Sequence, residues 1–112
     1  MKQIKAVIQS FMLEKVLDAL AEIDGLPGLT IADVRGWGLN RAATPSPVGG
    51  GGPGLAQECV VEIVVADAMA ARVVDAIVAA ARTGHPSDGK VFVVDVEDAV
   101  RIQTGARGEA GI

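Results

Sequence analysis

Residues His85-Pro86-Ser87-Asp88-Gly89-Lys90 make a polar turn, and Arg101 follows it beyond the apolar run Val91-Phe92-Val93-Val94. Asp-Gly and Gly-Lys in a loop allow positive φ and a close approach of backbone to ligand. Lys90 and Arg101 stand on either side of one short strand, so both can reach a single anion. A glycine turn, backbone N–H groups and two cations are the parts of a phosphate cradle. The same residues also suit a hairpin-type loop with solvated charges, and a loose Gly-Lys loop does not separate the two readings. Two further places can carry chemistry. Glu62 is the one acid within the apolar stretch Cys59 to Ala66. It is expensive to bury unless it meets a cation or a ligand. Gly36-Trp37-Gly38 sets an aromatic between two glycines, as an anchor on a special backbone conformation or as a turn with a partly buried ring.

Other chemistries lack their parts. No nucleophile–base pair appears, since His85 stands alone and Cys59 falls on a predicted strand. One His and one Cys do not make a metal site. The net charge of −4 argues against a nucleic-acid surface. No run approaches the roughly 18 apolar residues of a membrane span, and Met1-Lys2-Gln3-Ile4 lacks the apolar region of a signal peptide. A single cysteine cannot form an intrachain disulfide, which fits the cytoplasm. At 112 residues the chain is expected to be one domain with a modest core. With two Phe, one Trp and no Tyr, that core must be Val, Ile, Leu and Ala.

The elements that must position these residues follow from periodicity. Residues 2–9 alternate, with Ile4, Ala6 and Ile8 on one face of a half-buried strand and Lys5, Val7 and Gln9 on the other. Ser10 is a candidate N-cap. Leu13, Val16, Leu17 and Leu20 form the apolar stripe of a helix of about three turns, which Gly25-Leu26-Pro27-Gly28 stops. A second strand is predicted over 29–35. Residues 39–57 hold three prolines and five glycines. Such a tract cannot bury enough apolar area to offset its chain entropy, and we expect a mobile loop for a partner or ligand. A third strand is predicted over 58–66, then a helix from Asp67, as its cap, to about Arg82. Met69, Val73, Ala76, Ile77 and Ala80 form its core stripe. A fourth strand is predicted over 91–95 and a last extended piece around Val100 to Gln103. This order predicts an α+β, ferredoxin-like βαββαβ sandwich, with both helices on one face of an antiparallel sheet. Strands three and four are apolar on both faces, so the second face needs a cover, and we expect another copy of the chain.

The stretches MKQIKAVIQSFMLEKVLDAL, GLTIADVRGWG, VEIVVAD, ARTGHPSDGKVFVVDVEDAVRIQTG and RGEAGI resemble the P-II (PII) nitrogen regulatory signalling proteins across nearly the whole chain. The resemblance implies a ferredoxin-like homotrimer, cytoplasmic, that binds adenine nucleotides in clefts between subunits. It also implies signalling to a partner protein, a transporter or an enzyme, through a long T-loop, here 39–57. Residues 83–90 correspond to the B-loop and 102–109 to the C-terminal loop. Gly36, Trp37 and Gly38 match the Gly-aromatic-Gly at the base of the T-loop. Gly28, Leu29 and Thr30 match residues that contact adenine from the neighbouring subunit, and Glu62 and Val64 match strand residues of the same pocket. Asp88, Gly89 and Lys90 match the phosphate-binding loop, and Arg101 a phosphate-contacting arginine from across the cleft. The expected site thus takes Gly36 to Gly38, Glu62, Val64 and Asp88 to Lys90 from one chain, and Gly28 to Thr30 and Arg101 from its neighbour.

The departures bear on specificity. Leu39-Asn40 replace an Arg-Gln whose Gln helps hold Mg²⁺ and 2-oxoglutarate in the family. Glu58 replaces a lysine, Gln103 an arginine, and Gln9-Ser10-Phe11 a Lys-Pro-Phe. With no Tyr there is no tyrosine to uridylylate. These changes predict that ADP or AMP competes well with ATP and that 2-oxoglutarate binds poorly; the alternative is that Arg41, Arg107 or another loop cation replaces the missing charges. Participation of Mg²⁺, and bicarbonate or a metal as second ligand, stays open. The chain is read as a regulator and not an enzyme, with weak ATP hydrolysis as the one activity its held phosphates would permit. The alternative is a trimeric metal-tolerance or metal-efflux-associated regulator of the same fold, in which symmetry would gather three copies of His85 and Cys59.

Overall fold

The computed structural model describes residues 1–38 and 55–112. The elements run β1 (Lys2–Gln9), α1 (Leu13–Ala21), β2 (Thr30–Gly36), β3 (Ala56–Val65), α2 (Asp67–Ala81) and β4 (Gly89–Asp95). The four strands form one antiparallel sheet in the order β2-β3-β1-β4. This is the expected ferredoxin-like sandwich. Of the 39–57 tract, residues 39–54 lie outside the described residues, and Ala56 and Gln57 already belong to β3.

Alternation builds the two faces. Ile4, Ala6 and Ile8 of β1 are buried with Cys59, Val61, Ile63 and Val65 of β3 under the helices. From the helices come Val16, Leu20, Val73 and Ile77. Leu13, Met69 and Ala76 of the predicted stripes are half-buried against this cluster. The opposite face carries Lys5, Val7 and Gln9 of β1, paired with Glu62, Val60 and Glu58 of β3. On β4 it carries Lys90, Phe92 and Val94. Phe92 and Val94 are 49% and 52% exposed, and no helix covers them in a single chain.

Several local expectations need correction. Ser10 does not cap α1: Ser10–Met12 is a 3-10 turn with no side-chain cap bond, and the Ser10 hydroxyl accepts from the Cys59 thiol at 3.5 Å. Asp67 is the first residue of α2, not its cap, which is Ala66. The Asp67 carboxylate instead receives the Met1 amino group at 2.8 Å. The last extended piece reduces to one bridge, Val100 with Arg107, closing a turn in which the Gly105 amide donates to the Arg101 carbonyl at 2.7 Å. Asp98 fastens that turn by accepting from the Arg107 guanidinium at 2.6 Å and the Gly108 amide at 3.0 Å. These contacts hold its carboxyl below the usual range, the Gly108 amide contributing most.

Candidate functional site

The loop between α2 and β4 is organised by one carboxylate. Asp88 accepts from the Thr83 amide at 2.7 Å, the Gly84 amide at 2.9 Å and the Thr83 hydroxyl. Gln9 Nε2, at the end of β1, donates to the same carboxylate at 3.1 Å and ties the loop to the sheet. Hydrogen bonding to the ionised form favours it. The Thr83 hydroxyl, and after it the Thr83 amide, lower the Asp88 pKa to about 2. Pro86–Asp88 form a short 3-10 turn, and the chain enters β4 through Gly89 at φ 114. A Cβ on Gly89 would run into the Val7 carbonyl of the paired strand. So the glycine here answers both to a positive φ and to a close approach of two backbones. Asp88, Gly89 and Lys90 line a cavity of about 340 Å³ together with Arg82, with Ile8, Val74 and Ile77 as apolar wall.

A second cavity, of about 300 Å³, lies toward the other end of the sheet. Gly28, Thr30, Glu62 and Val64 line it, with Gln3, Pro27, Ala99 and Ile112. Thr30 stands opposite Glu62 in the β2–β3 register, and Lys5 opposite Glu62 on β1. Glu62 is therefore not a buried acid in the single chain. It is half-buried, 3.9 Å from Lys5 Nζ, with Gln3 Nε2 donating to it at 3.5 Å. Leu29 packs against the core beside this cavity. Arg101 lies in the closing turn, its guanidinium donating to the Ile112 main-chain oxygen.

Within one chain the structure thus groups Glu62 and Val64 with Gly28 and Thr30, and leaves Asp88 to Lys90 apart. From the Glu62 level to the Gln9 level is four residues of β1, roughly 14 Å at strand rise. Gly36 ends β2 near the loop end of the sheet, opposite Ala56. A Cβ there would overlap the Glu58 carboxylate. Trp37 is 68% exposed. Sequence reasoning placed Thr83 and Gly84 in the 83–90 loop but missed their bonds to Asp88, and it missed the tie from Gln9. The spacing of Thr-Gly four to five residues before an Asp was a usable signal, since Asx side chains bond nearby main-chain amides. Among the described residues no group of three His, Cys, Asp or Glu converges as a metal site would require. No helix among them is long and apolar enough to cross a membrane.

Comparison with known proteins agrees with this architecture. The family described as nitrogen regulatory protein P-II matches residues 1–106. The Rhodospirillum rubrum nitrogen regulatory protein P-II is 40% identical over 109 residues, covering 96% of each chain. Its namesake from Microchaete diplosiphon is 41% identical over 113 residues, covering both chains completely. The crystal structure of Arabidopsis thaliana PII bound to citrate superposes with a TM-score of 0.80 at 32% identity, over 99% of this chain and 91% of that one. With the match running through the sheet, the Thr83–Lys90 loop and the closing turn, the chain belongs to the nitrogen regulatory protein P-II family of signalling proteins.

Proposed function

We propose that this PII-family protein binds an adenine nucleotide between two chains of a homotrimer and regulates a partner protein, without catalysing a reaction itself. The observation that carries the reading is a pair of half-sites of complementary chemistry, separated along one sheet. The cavity of Gly28, Thr30, Glu62 and Val64 offers a hydroxyl and a half-buried carboxylate. A carboxylate acceptor suits the exocyclic amine of adenine. The loop of Asp88, Gly89 and Lys90 offers a glycine entry and a cation to phosphates. Neither half-site completes the other within one chain, so the base cavity and Arg101 of one chain serve the loop and the Gly36 to Gly38 corner of its neighbour, a division that moves Glu62 and Val64 from the loop's chain, where the resemblance put them, to the side of Gly28 and Thr30. Asp88 acts through the loop it holds, because its carboxylate is already taken up by Thr83, Gly84 and Gln9.

Calorimetric titration of ATP, ADP and AMP tests the reading. A charge-assisted contact to phosphate contributes roughly 1.5–3 kcal/mol, so Lys90→Ala should weaken binding about ten-fold or more. Absence of heat with all three nucleotides, or unchanged affinity in the variant, would refute it. The partner, a transporter or an enzyme, would be read out by co-purification with and without nucleotide.

A further inference from the structure

Glu58 is the one acid at the loop end of the open sheet face whose charge the described fold does not absorb. It stands on β3 between Val34 of β2 and Gln9 of β1. Its neighbour Cys59 points into the core, so Glu58 faces away from the helices. Its carboxylate lies against the main chain of Gly36, where an added Cβ would overlap it. On the other side, its cross-strand neighbour Gln9 donates to Asp88, which places Glu58 one strand from the loop that carries Lys90. The two acids differ in their surroundings. Asp88 is wrapped by two amides, a hydroxyl and the Gln9 amide. Among the described residues no Lys, Arg or His pairs with Glu58, and burial pushes its pKa up.

We infer that Glu58 is a specificity-determining residue of the nucleotide site: a carboxylate at the rim of the phosphate loop that sets a ceiling on ligand charge. Its charge accordingly weakens binding of three phosphates more than of one or two. This rests on the nucleotide-site reading above. Each added phosphate brings negative charge to an end of the sheet where Lys90 and Arg82 line the cavity and the neighbouring acid has no cation partner among the described residues. Unit charges about 10 Å apart at a partly exposed protein site repel by an amount worth about ten-fold in affinity, reduced to a few-fold where salt screens fully.

The test compares ATP, ADP and AMP by calorimetry on the full chain and on Glu58→Gln, which keeps the volume over Gly36 and removes the charge. ATP should bind about three- to ten-fold tighter to the variant, ADP less so, and AMP should change by less than about two-fold. Glu58→Ala, which also deletes the hydrogen-bonding head, should move ATP in the same direction, and it decides the matter where the Gln variant fails to fold. An equal gain for all three nucleotides, or no gain for ATP while AMP still binds, overturns the charge ceiling and leaves the nucleotide site standing. Absence of binding by wild type and variants alike overturns both.

Discussion

Among the described residues, Gly89 is where the backbone geometry allows least substitution. At φ 114, with the Val7 carbonyl where a Cβ would sit, Gly89→Ala must both strain its own backbone and open the β1–β4 ladder. Strain of this kind costs about 1–3 kcal/mol, and the displaced strand adds to it. Gly84 is the control: its φ is also positive, at 93, but a Cβ there meets nothing within 4 Å. Gly84→Ala should cost only about 1 kcal/mol. Midpoints of denaturant unfolding for the two variants check the difference, and equal midpoints would show that the close approach to Val7 is not limiting. The sequence marked Gly89 as a turn glycine because Asp-Gly permits positive φ. The approach of Val7 was not legible, since it depends on a pairing across most of the chain. Glu62 shows the same limit from the other side. Its pattern called for a cation or a ligand beside a strand acid, and the cation is there in Lys5, but that Lys5 and Gln3 are its neighbours on the open face depends on the register.

The loop from Thr83 to Asp88 is an element held by one ionised group, so its order should depend on pH. The folded pKa of Asp88 is about 2, depressed first by the Thr83 hydroxyl and then by the Thr83 amide. The unfolded value is near 3.9. A depressed carboxyl contributes stability that is complete above the unfolded pKa and is lost as pH falls from about 4 through 2. Protection factors of the Thr83 and Gly84 amides, taken relative to the intrinsic exchange rate at each pH, should therefore fall over that window while the β1–β3 core amides stay protected. Asp88→Asn, which lacks the titrating proton, should flatten the dependence. Loop and core exchanging in step would place the acid sensitivity elsewhere. At this scale most strands, both helices and their core stripes were legible, because alternation and the helical stripe are local signals. The ends were not. Ser10 and Asp67 have the side chains of N-caps, yet Ser10 faces Cys59 and Asp67 meets Met1. Nor was Val100 to Gln103 a strand, since Asp98, Arg107 and Gly108 fold it into a turn.

Two layers leave one face of the sheet without a cover, and this decides the behaviour of the whole molecule. Phe92 and Val94 project from that face, half exposed, and Val93 and Ile31 leave apolar surface at the two sheet edges, 50% and 40% exposed. Contiguous apolar surface on a small domain marks an interaction site. In the proposed trimer, closed symmetry would let identical chains cover it and would bring one chain's base cavity to the next chain's phosphate loop. The composition made this face visible in the sequence as strands apolar on both sides. Of the charges on this face, Lys5 and Glu62 pair with each other and so do not forbid burial at their level, while Glu58 and Lys90 stand toward the loop end. Phe92 lies opposite Lys5 at the level of Glu62, on the strand whose far edge is unpaired. A second carboxylate placed there would be buried without a cation of its own, a heavy cost for an interface. Light scattering on dilute protein should give about three times the 11.4 kDa chain mass for the wild type. Phe92→Glu should fall to the single-chain mass and lose nucleotide affinity with it, its helix content unchanged by circular dichroism. A variant that stays trimeric would move the interface off this face, and one that is monomeric yet binds nucleotide as tightly as wild type would show that each half-site works alone.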